Sequence, residues 1–154
     1  MTTTSKMVKI TALIDGNTWH GKTAERFWAT PIGGSQYELE NSPLYVRGIS
    51  YKDVVEGEYR DGELVAVGVA RRGGHSNYQI LLNQDSKRSD FERLWARLAA
   101  LGCTYESSKD PENVFAVDVP PQSDVYAVYA VLEDGEREGV WSFGEGFCGH
   151  PLQN

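Results

Sequence analysis

The hairpin signal Arg60-Asp61-Gly62-Glu63 constrains this chain more than any other stretch. It separates two strand-like runs, VVEGEY at 54–59 and LVAVGV at 64–69. Asp-Gly supplies the positive-φ backbone that a tight turn between twisted strands requires, so the two runs are expected to pair antiparallel. A second, glycine-rich connection follows, R-R-G-G-H-S-N at 71–77, and leads into another apolar run at 78–82. The stretch 41–82 therefore closes one sheet and opens the next. It holds the densest set of polar side chains with functional potential, but no metal, nucleotide or nucleophile motif.

Before the hairpin, residues 7–14 alternate loosely (Val8, Ile10, Ala12, Ile14) and read as a strand. D-G-N-T-W-H-G-K at 15–22 is a loop. Residues 25–31 form a second strand, with Phe27 and Ala29 on one face and Trp28 on the other. Gly33-Gly34 turns the chain into a third strand at 36–40, and 43–52 is an irregular crossing segment. Residues 6–75 are thus expected to form a small antiparallel β-barrel or bent sheet, in which closure removes exposed edges.

From residue 76 the pattern changes. Ser89 with Glu92 fits a capping box, and Phe91, Leu94, Trp95, Leu98 and Leu101 recur at helical spacing up to Gly102. Strands are expected at 103–107 and 114–119. A second helix follows Ser123 or Asp124, with Gly135 and Gly139 fraying or ending it, and a last strand spans 140–143. The order over 76–150 is βαββαβ, the ferredoxin-like order. The fold class is α+β, the two halves packing closely as one compact unit.

Composition narrows the function classes. The 154 residues carry a formal net charge of −7. A general nucleic-acid binder needs a basic face to displace counterions from phosphates, so that class is excluded, whereas a basic protein partner is permitted. No run reaches the ~20 apolar residues of a membrane span. The polar start, M-T-T-T-S-K-M, lacks the apolar core of a signal peptide. Cys103 and Cys148 are expected to be reduced, and the location cytoplasmic.

Several segments together resemble a known family. They are F-W-A at 27–29, Y-E-L-E-N-S-P-L-Y-V-R-G-I-S-Y-K-D-V-V-E at 37–56, R-R-G-G-H-S-N-Y-Q-I at 71–80, A-L-G-C at 100–103, A-V-D-V-P-P at 116–121 and E-G-V-W at 138–141. In this order, covering nearly the whole chain, they resemble the bacterial family catalogued as domain of unknown function 4265. The family pattern has asparagine or a small residue at several places where this chain has Gly or His. The resemblance implies no catalytic residue. Small acidic bacterial proteins of this sort often act as toxin-neutralising partners, and that association implies an immunity-type role.

Individual residues suggest where chemistry would sit. Arg71, Arg72, the Gly73-Gly74 pair and His75 could hold an anion or contact a partner, or the loop is a bulged connection. His75 beside Ser76 is a poor catalytic pair, since sequence neighbours seldom orient well and no third group is visible. Cys148 and His150 with Cys103 lack the paired spacing of a structural zinc site, so no metal or other cofactor is expected. Glu133, Asp134, Glu136 and Glu138 form either a partner-facing acidic patch or a solvated helix end. Among the aromatics, Trp28 and Tyr51 are expected in the core, and Trp19 and Tyr45 are the candidates for interface anchors.

Three readings follow. The leading one is a non-catalytic protein-binding module, an immunity-type inhibitor that covers the active site of a bacterial toxin, a basic toxin domain being the permitted partner, through Tyr45, Arg47, Arg71, Arg72, His75 and the four acids of the run. The alternative is a small-ligand or nucleotide-sensing regulatory domain centred on Arg71, Arg72 and His75. The third is an enzyme using His75 as base.

Overall fold

The computed structural model describes residues 6–16 and 18–152. The first five strands close into a barrel: β1 (Val8–Leu13), β2 (Ala24–Gly33), β3 (Gln36–Leu39), β4 (Val54–Arg60) and β5 (Glu63–Arg71). Successive strands pair antiparallel, and a parallel bridge between Thr11 and Val65 closes the ring. Asp61 (φ 50°) and Gly62 (φ 81°) both occupy the left-handed region between β4 and β5, as the hairpin signal demands. Ile10, Phe27, Ala29, Leu39, Val55 and Leu64 fill the barrel interior.

The chain leaves β5 at Arg71 and enters a second sheet at Ser76. This sheet contains β6 (Ser76–Leu82), β7 (Thr104–Ser107), β8 (Val114–Val119) and β9 (Trp141–Phe147), in the order β7-β8-β6-β9 and antiparallel throughout. Two helices, α1 (Arg88–Ala100) and α2 (Val125–Arg137), lie between its strands in the chain. Leu94 and Leu98 of α1 and Val128 and Leu132 of α2 meet Ile80, Phe115, Val117 and Trp141 in one buried cluster, so both helices cover the same face. The architecture is α+β, mostly strand, with a strongly bent N-terminal sheet.

Some local expectations are corrected. Helix α1 starts at Arg88, with Lys87 at the cap position and no side-chain cap bond, so Ser89 and Glu92 form no capping box. Glu92 pairs instead with Arg88 one turn earlier, at 3.2 Å. Asp124 caps α2, accepting from the N–H groups of Tyr126 and Ala127. Gly135 does not end that helix. It lies inside it, where an added Cβ would collide with the Trp141 ring, so the glycine makes room for the buried indole. The indole N–H donates to Leu132 O at 2.9 Å. Trp28 is exposed rather than core: Phe27 and Ala29 point inward, so the strand pleat turns Trp28 outward, with Lys9 Nζ 4.3 Å from its ring centroid. Tyr51 is half-buried.

Candidate functional site

Residues 41–50 cross from β3 towards β4 without regular structure, so their backbone groups need partners from outside the segment. Both sheets supply them. From the barrel, the Glu25 carboxylate accepts three N–H groups in a row, Leu44 at 2.8 Å and Tyr45 and Val46 at 2.9 Å. From the second sheet, Glu106 accepts from Asn41 Nδ2 (2.9 Å) and from Ser42 N. Gln79 Nε2 donates to Val46 O (2.9 Å), and Asn77 Nδ2 donates to Pro43 O (3.1 Å). Gly48 N donates to Gly146 O, and Arg72 Nη1 donates to Gly48 O. Burial pushes the Glu25 pKa up, against the pull of its three N–H donors, and the nearby Glu106 charge adds to the rise.

The segment so held presents Tyr45 and Arg47 to a cleft whose other wall includes Asp15, Thr18, Trp19 and His20. A cavity of about 420 Å³ is lined there by Asp15, Thr18, Trp19, His20, Tyr45 and Arg47, among others. A smaller one of about 200 Å³ adjoins it over β6 and β9, sharing Trp19 and Arg47. His20 organises the loop: its Nδ1 accepts from Lys22 N–H at 2.9 Å and lies 3.2 Å from Thr18 Oγ1. Its ring stands edge-on to Trp19 (5.2 Å) and tilted to Tyr45 (5.0 Å). Burial lowers the His20 pKa, and Lys22 and Arg47 lower it further, partly offset by a bond to the Tyr45 backbone. The imidazole is therefore neutral at pH 7. Trp19 is 56% exposed. Arg47 is exposed and makes no hydrogen bond or ion pair with any described residue.

A family model described as a domain of unknown function matches residues 25–143. The chain belongs to DUF4265. No curated protein matches it. A solved structure, described as a novel crystal structure of a hypothetical protein from Neisseria gonorrhoeae, is similar over 93% of this chain and 95% of that one, with a TM-score of 0.78 and 17% identity. That likeness concerns the fold. The DUF4265 match takes in Glu25, Tyr45, Arg47, Gln79 and Glu106, whereas Trp19 and His20 precede it.

The other residues singled out in this DUF4265 chain fall elsewhere. Arg72 is tied to Gly48 O (2.7 Å) and to the buried Asp53 carboxylate (3.1 Å), and its guanidinium stacks on Phe147 at 3.8 Å. Arg71 is exposed at the end of β5. His75 Nδ1 lies 2.9 and 3.0 Å from the two oxygens of Asp118, with Tyr51 edge-on at 5.3 Å. Burial raises the Asp118 pKa, while His75 works against that rise. Ser76 does not meet His75. Its hydroxyl is 2.6 Å from His150 Nδ1 and accepts from Gly149 N–H at 2.9 Å. The other ring nitrogen of His150 is 2.9 Å from the Pro120 carbonyl and must carry a proton to bond there. This buried strut fastens the C-terminal segment to β6. Cys103 is buried and its thiol pushed up to about 12, chiefly by burial and then by Asp118, so it is unreactive. No cluster of three or more His, Cys, Asp or Glu suited to a metal occurs among the described residues.

The acidic run lies on the helix layer, across the sheet from Tyr45 and Arg47. Asp134 bonds Arg97 (2.8 Å) and Arg137 (2.7 Å), and Glu138 bonds Arg93 (2.6 Å). Arg97 first, then Arg137, holds the Asp134 carboxyl below its usual range. Glu133 and Glu136 are exposed. The nine residues proposed for partner contact thus divide among the cleft, the connection between the sheets, and the helix layer. Sequence reasoning passed over Glu25, Glu106, Gln79 and His20. One signal was available: Asn77 and Gln79 alternate with Tyr78 and Ile80, a polar period of two in a buried strand that marks a second covered face.

Proposed function

We propose that this chain is a non-catalytic protein-binding module that engages its partner through the cleft at Trp19, Tyr45 and Arg47. One observation carries this reading: an exposed tryptophan, a half-buried tyrosine and an arginine with no bonding partner among the described residues converge there from two separate connections. These are the residue types that dominate binding energy at protein interfaces. The absence of catalysis is supported by the use of His75, Asp118, Ser76 and His150 in bonds that fasten the fold. The C-terminal layer is read as ferredoxin-like from its βαββαβ chain order and β7-β8-β6-β9 strand order. Neutralisation of a bacterial toxin is the form of the reading that the net charge of −7 favours, since it suits a partner that is basic overall.

A second reading keeps the same cleft but fills it with a small ligand, because about 420 Å³ is within the usual size of ligand pockets. The two readings are separated by a photo-crosslinking residue placed at position 13, where the exposed Leu13 lines the same cleft, in the host cell, followed by titration of the purified captured protein. The module reading expects a specific protein adduct, and about tenfold or greater weakening by Trp19→Ala and by Arg47→Ala. No adduct, or affinity indifferent to both substitutions, would overturn it.

A further inference from the structure

The cleft has an internal charge pattern that specifies what sits in it. We propose that it receives an acidic segment of the partner, a carboxylate seated on Arg47 beside a large apolar side chain in the smaller recess. This inference rests on the protein-binding reading above and adds the chemistry of the occupant.

Arg47 stands where the two recesses meet. Residue 144 of β9 is a glycine, and a Cβ there would come within 3.2 Å of the Arg47 guanidinium, so the missing side chain lets the arginine lie against the strand. The guanidinium lies close to β9 at Gly144, while its own donors stay unused by any described residue. A planar fork of five N–H donors is matched best by a carboxylate or a phosphate. Lys22 adds a second positive charge near Tyr45, with Nζ 5.4 Å from the ring centroid. Among the described residues Asp15 is the one carboxylate in the lining of the larger recess, and it forms no ion pair with Arg47. His20 is neutral, for the reasons given above. Locally the cleft is therefore cationic on a chain whose net charge is −7.

The smaller recess has a different character. Leu81 and Phe143 contribute to its lining, alongside Trp19. A free anion would occupy the Arg47 position and leave this recess unused. A chain carrying an acidic residue next to an apolar one fills both, which favours a peptide segment over a nucleotide. A locally acidic contact is compatible with a partner that is basic overall, because long-range steering follows net charge and the arginine's seat follows the nearest group.

The test uses the full chain, isotope-labelled, with NMR observation of the Trp19 indole N–H and the Arg47 side-chain N–H. The probes are three end-blocked pentapeptides, Leu-Glu-Leu-Asp-Leu, Leu-Gln-Leu-Asn-Leu and Leu-Lys-Leu-Lys-Leu, together with AMP and inorganic phosphate. The expected result is saturable shifts at both signals with the acidic peptide, about tenfold tighter than with its amide twin. Arg47→Lys should keep that preference and Arg47→Gln should erase it, with the fold unchanged by spectrum. Equal binding of the acidic and amide peptides, preference for the lysine peptide, or no peptide binding would overturn the proposal. Tighter binding of AMP or phosphate would overturn it in favour of a small anion. A protein adduct at position 13 combined with equal peptide binding would sink the charge assignment alone. Loss of both adduct and peptide binding would sink the module reading with it.

Discussion

The two faces of the four-stranded sheet are built from different chemistry. Towards the helices, Tyr78, Ile80, Phe115 and Val117 pack into an apolar cluster with α1 and α2. Towards the barrel, the same strands offer Asn77, Gln79, Asp118 and, from β7, Glu106. Apolar packing is non-directional and scales with buried area, so the helix face supplies stability without fixing any one loop. Hydrogen bonds to named backbone atoms are directional and contribute modestly to net stability, but they determine where a segment lies. The barrel face therefore places the 41–50 segment, and with it Tyr45 and Arg47, while the helix face holds the fold together.

The contrast can be broken from either side. The largest effect is expected on the helix face. Leu98, fully buried between the helices and the sheet, should cost about 2–5 kcal/mol when changed to Ala, measured by urea unfolding, with cleft binding by the still-folded protein unchanged. A cost below about 1 kcal/mol would mean that stability is drawn from elsewhere.

The barrel face should show a smaller stability effect and a pH signature. Glu25→Gln keeps one acceptor oxygen for Tyr45 and Val46 but turns an NH2 donor towards the Leu44 N–H, which loses its acceptor, and it should cost about 1–3 kcal/mol near pH 7 while loosening the segment. The sign of the pH dependence follows from the raised pKa of Glu25. The folded state holds this proton more tightly than the unfolded state, so ionisation works against folding above the folded pKa, and the penalty is relieved as pH falls through it towards the unfolded value. The wild type should therefore gain stability relative to Glu25→Gln as pH falls from neutral towards the ordinary carboxylate range. A gain in the opposite direction would show that the three N–H bonds outweigh burial and Glu106.

The smallest effect is expected at the acidic run. Glu133 and Glu136 are exposed on the helix layer, so reversing both to Lys should alter stability by no more than about 0.5 kcal/mol and leave partner affinity unchanged. Lost affinity would move the contact surface to the helices.

The elements were legible where local chemistry is decisive. Asp61-Gly62 announced its hairpin, and the spacing of Phe91, Leu94 and Leu98 announced α1 with its buried face. Barrel closure was suggested by the succession of short strands, although the single parallel bridge between β1 and β5 has no local signature. Tyr45, Arg47 and Trp19 were noticed as unexplained side chains at connections. Their convergence was not readable, because it depends on Glu25 and Glu106 reaching the 41–50 segment from opposite sheets, 19 and 64 residues away from their bonding partners Leu44 and Ser42. The run at 133–138 reads the same in sequence whether it meets a partner or the arginines of α1; only the packing of the two helices brings Arg93 and Arg97 beside it.

The central claim is that the barrel side of the sheet, and not the helix side, meets the partner. Hydrogen–deuterium exchange of the purified chain with and without the protein captured at position 13 tests it most directly. New protection is predicted at 15–22, 41–50 and 141–147, with none at 124–138. Protection confined to 124–138 would contradict the account.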